Sequence, residues 1–225
     1  MTHLLYIEAS PRRQRSASIE TARTAIAAWR AADPGLTVDT LNVWTTPLPD
    51  FDGPAMEAKY AGLSGTPLTP EQVKAWSDIK ALAYRFHVAD AVLLAVPLWN
   101  FSIPYKLKQL IDAVTHKDLL FSFDEHGLNG TLVNRKALLV LARGLDYGKD
   151  GPVPAERYDF QKPYLEAWLR FIGITDITCV IIEKTLLGPE IDGAAREAGK
   201  AAAVQAARAI AQRIKDTNMP EASEP

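Results

Sequence analysis

Two rhythms of apolar positions run along this chain. Residues 3–9 form a short, nearly continuous apolar run closed by Ser10-Pro11, as a strand would be. Ile19, Ala22, Ile26 and Trp29 then recur at helical spacing, which predicts a helix over 16–32 that stops at Asp33-Pro34-Gly35. Residues 36–43 return to near-alternation and predict a second strand. Residues 44–68 are rich in proline and glycine and read as a long loop, with a short helix near 55–60. Thr69-Pro70-Glu71-Gln72 is a capping box with proline at the first helical position, so a helix runs from there to about 87. Residues 91–97 are apolar throughout, the mark of a strand covered on both faces. A loop over 98–103 and a helix over 104–114 follow. Residues 137–142 predict another buried strand, 163–172 a helix, 174–183 a strand, and 190–215 a long alanine-rich helix.

Strands that alternate with helices in this order predict an α/β, three-layer sandwich around a five-stranded parallel sheet in the order 2-1-3-4-5. The chain has 225 residues, 48% of them apolar, which suits one domain over 1–217 with a disordered tail over 218–225. In such sheets ligands bind outside the carboxyl ends of the strands, near the switch point. Three loops are thereby singled out: those after Ala9, Pro97 and Ala142.

Composition narrows the function. The net charge of −2, with both signs scattered, argues against nucleic acid or an anionic membrane as partner. No apolar run is long enough to span a bilayer, and the N-terminus lacks the pattern of a secretory signal. The single cysteine, Cys179, lies in an apolar run and reads as a small buried hydrophobe in a reducing compartment, so a cytoplasmic location is expected. No His/Cys/Asp/Glu cluster has metal-ligand spacing. His3 and His87 read as structural, and His116 and His126 as surface residues that could overhang a site.

The first loop holds Ser10, then Arg12, Arg13 and Arg15, then Ser16, Ala17 and Ser18 at a helix start. Helix N-termini carry unpaired N–H groups and partial positive charge, and the serines add hydroxyl donors, so the loop suits a phosphate as well as plain capping. It is neither a glycine-rich dinucleotide loop nor a P-loop. The second loop, Pro97-Leu98-Trp99-Asn100-Phe101, offers an amide between two aromatics, which suits the edge of a flat heteroaromatic ring or an ordinary turn. The third, Ala142-Arg143-Gly144-Leu145, lets backbone approach a ligand at glycine, with Arg143 or Tyr147 facing it. A ligand with a phosphate at one end and a planar ring at the other would use all three, and FMN has that shape.

On these residues the chain resembles the FMN-dependent NADH-azoreductases, also called FMN-dependent NADH:quinone oxidoreductases. Ser10 and Ser16-Ala17-Ser18 match that family's phosphate serines, and Pro97-Leu98-Trp99-Asn100-Phe101 matches its Pro-Met-Tyr-Asn-Phe ring segment. Ala142-Arg143-Gly144-Leu145 stands where the family has Ser-Arg-Gly-Gly. The stretches Lys149-Asp150-Gly151-Pro152 and Phe171-Ile172-Gly173-Ile174-Thr175-Asp176 also match. Trp99 replaces a tyrosine, and Ala142 and Leu145 replace a serine and a glycine.

The resemblance implies a flavodoxin-like fold and bound FMN, with NADH or NADPH as co-substrate. It implies ping-pong reduction of quinones or azo compounds without a side-chain nucleophile, because the flavin carries the chemistry. It also implies a homodimer whose partner helps build the site. Phe121 and Phe123 could then line the acceptor site across the interface, the alternative being a small hairpin packed on its own domain. Arg15 could touch phosphate or nicotinamide nucleotide. A flavodoxin-type FMN electron carrier, an FAD-dependent quinone reductase of the same fold and a flavin-free regulatory domain remain as alternatives.

Overall fold

A computed structural model describes residues 1–125 and 127–218, so His126 and the tail from 219 onward lie outside the described residues. Five parallel strands form the central sheet: β1 (His3–Glu8), β2 (Thr37–Asn42), β3 (Ala91–Pro97), β6 (Lys136–Ala142) and β7 (Asp176–Ile182). Their spatial order is β2-β1-β3-β6-β7, the 2-1-3-4-5 topology expected. The label gap arises from an antiparallel hairpin outside the sheet, β4 (Phe121–Asp124) with β5 (Gly127–Gly130).

Among the described residues seven α-helices flank the strands: α1 (Ala17–Ala32), α2 (Gly53–Ser64), α3 (Pro70–Val88), α4 (Tyr105–Val114), α5 (Ala155–Tyr158), α6 (Gln161–Phe171) and α7 (Pro189–Asn218). Alternate side chains of each strand feed two separate cores. Leu5, Ile7, Val92, Leu94, Leu139 and Leu141 pack under α3, α4 and α6. Leu4, Tyr6, Leu93, Ala95, Leu138 and Val140 pack under α1 and α7. This two-sided burial explains the unbroken apolar runs of β3 and β6. Alanines at 22, 25, 203, 207 and 211 are buried in the second core, which accounts for the alanine-rich terminal helix as one that packs closely against its neighbours.

One segment extends beyond expectation. The proline-rich stretch holds a 12-residue helix, α2, longer than the short helix expected near 55–60, because Pro54 sits in its first turn and Gly65 closes it at φ 71°. Of the two arrangements open for the hairpin, Phe121 favours packing on its own domain: it is half-buried, its ring 4.9 Å from that of Phe171 on α6. The hairpin is therefore docked on its own domain. A Cβ on Gly130 would lie 2.1 Å from the Gly173 backbone nitrogen, so only glycine permits this approach.

Candidate functional site

The loop after β1 ends in Ser16, which caps α1 by accepting from the Ile19 amide at 3.4 Å. Its hydroxyl also lies 3.1 Å from that of Ser18. Ser10, Ser16 and Ser18 are all buried, and Ala17 and Ser18 open the helix, where amides have no carbonyl one turn earlier to bond. One loop thus brings three buried hydroxyls, two of them 3.1 Å apart, to a helix N-terminus, and carries the exposed Arg12, Arg13 and Arg15 between them. None of these arginines forms an ion pair among the described residues. The donor set fits a phosphate.

The loop after β3 closes on itself. The amides of Trp99 and Ser102 each donate to the other residue's carbonyl at 2.9 Å, leaving Asn100 and Phe101 at the tip. Both have positive φ, 43° and 73°, as a tight two-residue turn requires. Asparagine tolerates this conformation, but phenylalanine pays about 1–2 kcal/mol for it. Strain held at a ligand edge points to function. The turn is fixed from outside: the Leu98 amide donates to the Ala142 carbonyl at 2.8 Å, and the Phe160 amide to the Phe101 carbonyl at 2.8 Å. Pro97, Leu98 and Trp99 are half-buried, and Asn100 and Phe101 are exposed.

Beside that turn lies a cleft of about 630 Å³ whose walls include Phe51, Trp99, Asn100, Tyr105 and Tyr164. Trp44 anchors its aromatic wall. Its indole N–H donates to the Ala9 carbonyl at 3.0 Å, while its ring meets Trp99 at 5.7 Å and Tyr105 edge-on at 5.3 Å. The single-sequence reading missed Trp44, Phe51, Tyr105 and Tyr164, and only the position of the long loop before a helix hinted at the first two.

The loop after β6 corrects one expectation. The Arg143 side chain does not face outward. It is buried and pairs with Asp159 and, at 3.0 Å, with Glu183. Asp159 in turn accepts from the Gln161 and Lys162 amides at 3.0 Å, so Arg143 ties the end of β6 to the start of α6. Its guanidinium also stands over the Tyr147 ring at 5.2 Å. Burial pushes the Tyr147 hydroxyl up and keeps it neutral. Ala142 is buried, Gly144 half-buried and Leu145 exposed, with the Gly144 carbonyl accepting from the Leu186 amide. What this loop can offer a ligand is backbone, together with the surfaces of Gly144 and Leu145.

Phe123 is 62% exposed and its neighbour Phe121 is turned onto α6, so of the two only Phe123 is presented outward. His116, expected at the surface, is 4% exposed. Its ring lies 4.6 Å from Phe51 and 5.4 Å from Trp76, and among the described residues neither ring nitrogen has a hydrogen-bond partner. Burial first, and Lys59 second, push its pKa down to about 4. Cys179 is half-buried against the core, and burial pushes its thiol up to about 11, well away from a reactive thiolate. Among the described residues no group of acidic, histidine or cysteine side chains could hold a metal, and no helix is long and apolar enough to cross a membrane.

Comparisons with known proteins bear on the fold and the family. A family model described as a flavodoxin-like fold matches residues 2–207. The chain is 50% identical over 215 residues to FMN-dependent NADH:quinone oxidoreductase 3 of Pseudomonas fluorescens, covering 95% of this chain and 98% of that one. Among solved structures, an azoreductase from Bacillus anthracis superposes with TM-score 0.83 at 28% identity, covering 93% of this chain and all of that one. An FMN-dependent NADH-azoreductase from the same species, in complex with FMN, superposes with TM-score 0.80 at 25% identity over 95% and 99% of the two chains. The chain belongs to the flavodoxin-like family that includes the FMN-dependent NADH:quinone oxidoreductases.

Proposed function

We propose that this chain is an FMN-dependent oxidoreductase that passes two electrons from NADH or NADPH to quinones, and to aromatic azo compounds, in a ping-pong cycle. The observation that carries this reading is the convergence of three features on one sheet edge: the buried serines at the α1 N-terminus, the strained Asn100-Phe101 turn and the Ala142–Leu145 backbone. FMN, when bound, supplies the two-electron relay between nucleotide and acceptor.

The protein's own part is placement. Ser10, Ser16, Ser18 and the amides of Ala17 and Ser18 hold the phosphate, and Ser16 is already aligned by its capping bond. Leu98, Trp99, Asn100 and Phe101 meet the ring edge with a fixed amide and backbone dipoles, which carry developing charge without reorganising. Gly144 and Leu145 close the other side. Nucleotide and acceptor use the aromatic cleft in turn, which is the reason for a ping-pong order. No side chain acts as nucleophile.

A second copy of the chain completes the cleft. Supporting this, Phe101, Tyr105, Phe123 and Phe160 are 45%, 64%, 62% and 57% exposed, an unusual outlay of aromatic surface for a lone chain. Light scattering is expected to give a dimer, and a monomer at working concentration would remove this part. The expected location is the cytoplasm.

The central test is a visible spectrum. Purified protein mixed with FMN should retain it through gel filtration, lose the 450-nm region absorbance on anaerobic NADH addition and regain it with a quinone, as flavins do. Protein that takes up no FMN overturns the reading. FMN uptake without steady NADH oxidation in the presence of a quinone leaves an electron carrier instead.

A further inference from the structure

Charge in the acceptor cleft is closed off. Beyond its aromatic walls the cleft presents one cation, Lys108, and one carboxylate, Asp112, both on α4 and both about half exposed. They face each other one helical turn apart, with the Lys108 ammonium 2.5 Å and 2.7 Å from the two Asp112 oxygens. The next charges outward balance as well. Gln109 donates to Asp50 at 3.1 Å and accepts from Lys106 at 2.8 Å, so a second opposite pair is bridged through one amide. Of the hydroxyls in the wall, on Ser102, Tyr105 and Tyr164, burial pushes that of Tyr164 further up from its ordinary value.

From this arrangement we infer that the Lys108–Asp112 pair sets acceptor charge specificity, admitting neutral planar acceptors and disfavouring the same ring when it bears a carboxylate or sulfonate. An anion entering a cleft walled by Phe51, Trp99 and Tyr105 gives up water and, among the described residues that line it, finds no cation that is not already paired. Recruiting Lys108 means breaking its two bonds to Asp112 and leaving that carboxylate facing the newcomer. A neutral ring loses nothing of the kind and gains contact with the aromatic wall. The inference rests on the proposed quinone reduction at this cleft, and it names the class of acceptor.

The test compares a naphthoquinone carrying a propionate side chain with its methyl ester, which share a ring and differ in charge. Binding of each to the FMN-loaded, oxidised protein is measured without nucleotide, by quenching of tryptophan fluorescence. kcat/KM is then measured with NADH. The wild type is expected to favour the ester about tenfold in both readouts. Asp112→Asn frees Lys108 and should narrow that ratio about fivefold, whereas Lys108→Gln leaves Asp112 unpaired and should widen it. Thermal melts confirm that each variant is folded, and opposite movements of the ratio exclude a general loss of structure. Equal binding of acid and ester by the wild type overturns the inference, as does a ratio that neither variant moves while the ester is still reduced. If neither quinone is reduced by the FMN-loaded wild type, the fault lies with the proposed function instead.

Discussion

Two loops on the same edge of the sheet carry arginines and use them in opposite ways. After β1, Arg12, Arg13 and Arg15 are exposed and pair with no carboxylate among the described residues. After β6, Arg143 is buried, with Asp159 and Glu183 occupying its guanidinium. The first group has donors to spare for a ligand, while the second spends its donors on holding β6, β7 and α6 together. An arginine near a site is therefore identified by the carboxylates that reach it, and those lie 16 and 40 residues along the chain from Arg143.

The sharpest way to break this comparison is Arg143→Ala. It strands two largely buried carboxylates, and urea unfolding should show a loss of about 3–5 kcal/mol. Arg143→Lys should recover less than half of that, because a single ammonium nitrogen lacks the planar fork by which Nη1 and Nη2 of Arg143 reach Glu183 and Asp159 separately. A loss below about 1 kcal/mol would put Arg143 back among residues free to serve a ligand.

His116 extends the contrast to a buried group whose ring nitrogens have no hydrogen-bond partner among the described residues. Its folded pKa of about 4 lies below the free value of 6.5, so the unfolded chain takes up a proton first as pH falls. The stability this represents is whole above about pH 6.5 and drains as pH drops toward 4. Denaturation at pH 7 and pH 5 should show wild type losing about 2 kcal/mol more than His116→Phe over that interval. Parallel losses in the two proteins would mean the imidazole is not held neutral.

At the phosphate end the effects move from folding to binding. Ser18→Ala should weaken FMN about tenfold, measured by flavin fluorescence, with folding stability changed by less than about 1 kcal/mol. The smallest effect is expected at Arg15. Arg15→Ala should leave stability within about 0.5 kcal/mol, and should shift FMN affinity or the nicotinamide KM two- to threefold at low salt and less at high salt, as screening requires. Unchanged values for both would assign these arginines to solvated surface.

Much of the fold could be read from residue pattern. The unbroken run of β3 announced a strand covered on both faces, and Thr69 with Gln72 announced the start of α3, where both bonds of the capping box are present. The serine loop was legible because strand, loop and helix start are contiguous. The cleft was not. Trp44 and Phe51 come from the loop after β2, Tyr105 from α4 and Tyr164 from α6, and nothing local marks these three segments as neighbours. His116 was misread for the same reason: Phe51 and Trp76, whose rings bury it, lie 65 and 40 residues away in the chain.

The sequence by itself determined what depends on neighbours along the chain: the strands, the helix caps, the doubly wound order and the three loops at the carboxyl ends of β1, β3 and β6. The tertiary structure alone decided which charges are spent and which are free. It paired Arg143 with Asp159 and Glu183, left Arg12, Arg13 and Arg15 open, and turned Phe121 inward while leaving Phe123 outside. The physical reason is that burial and ion pairing depend on distance in space, which packing of the two cores sets and local pattern does not record.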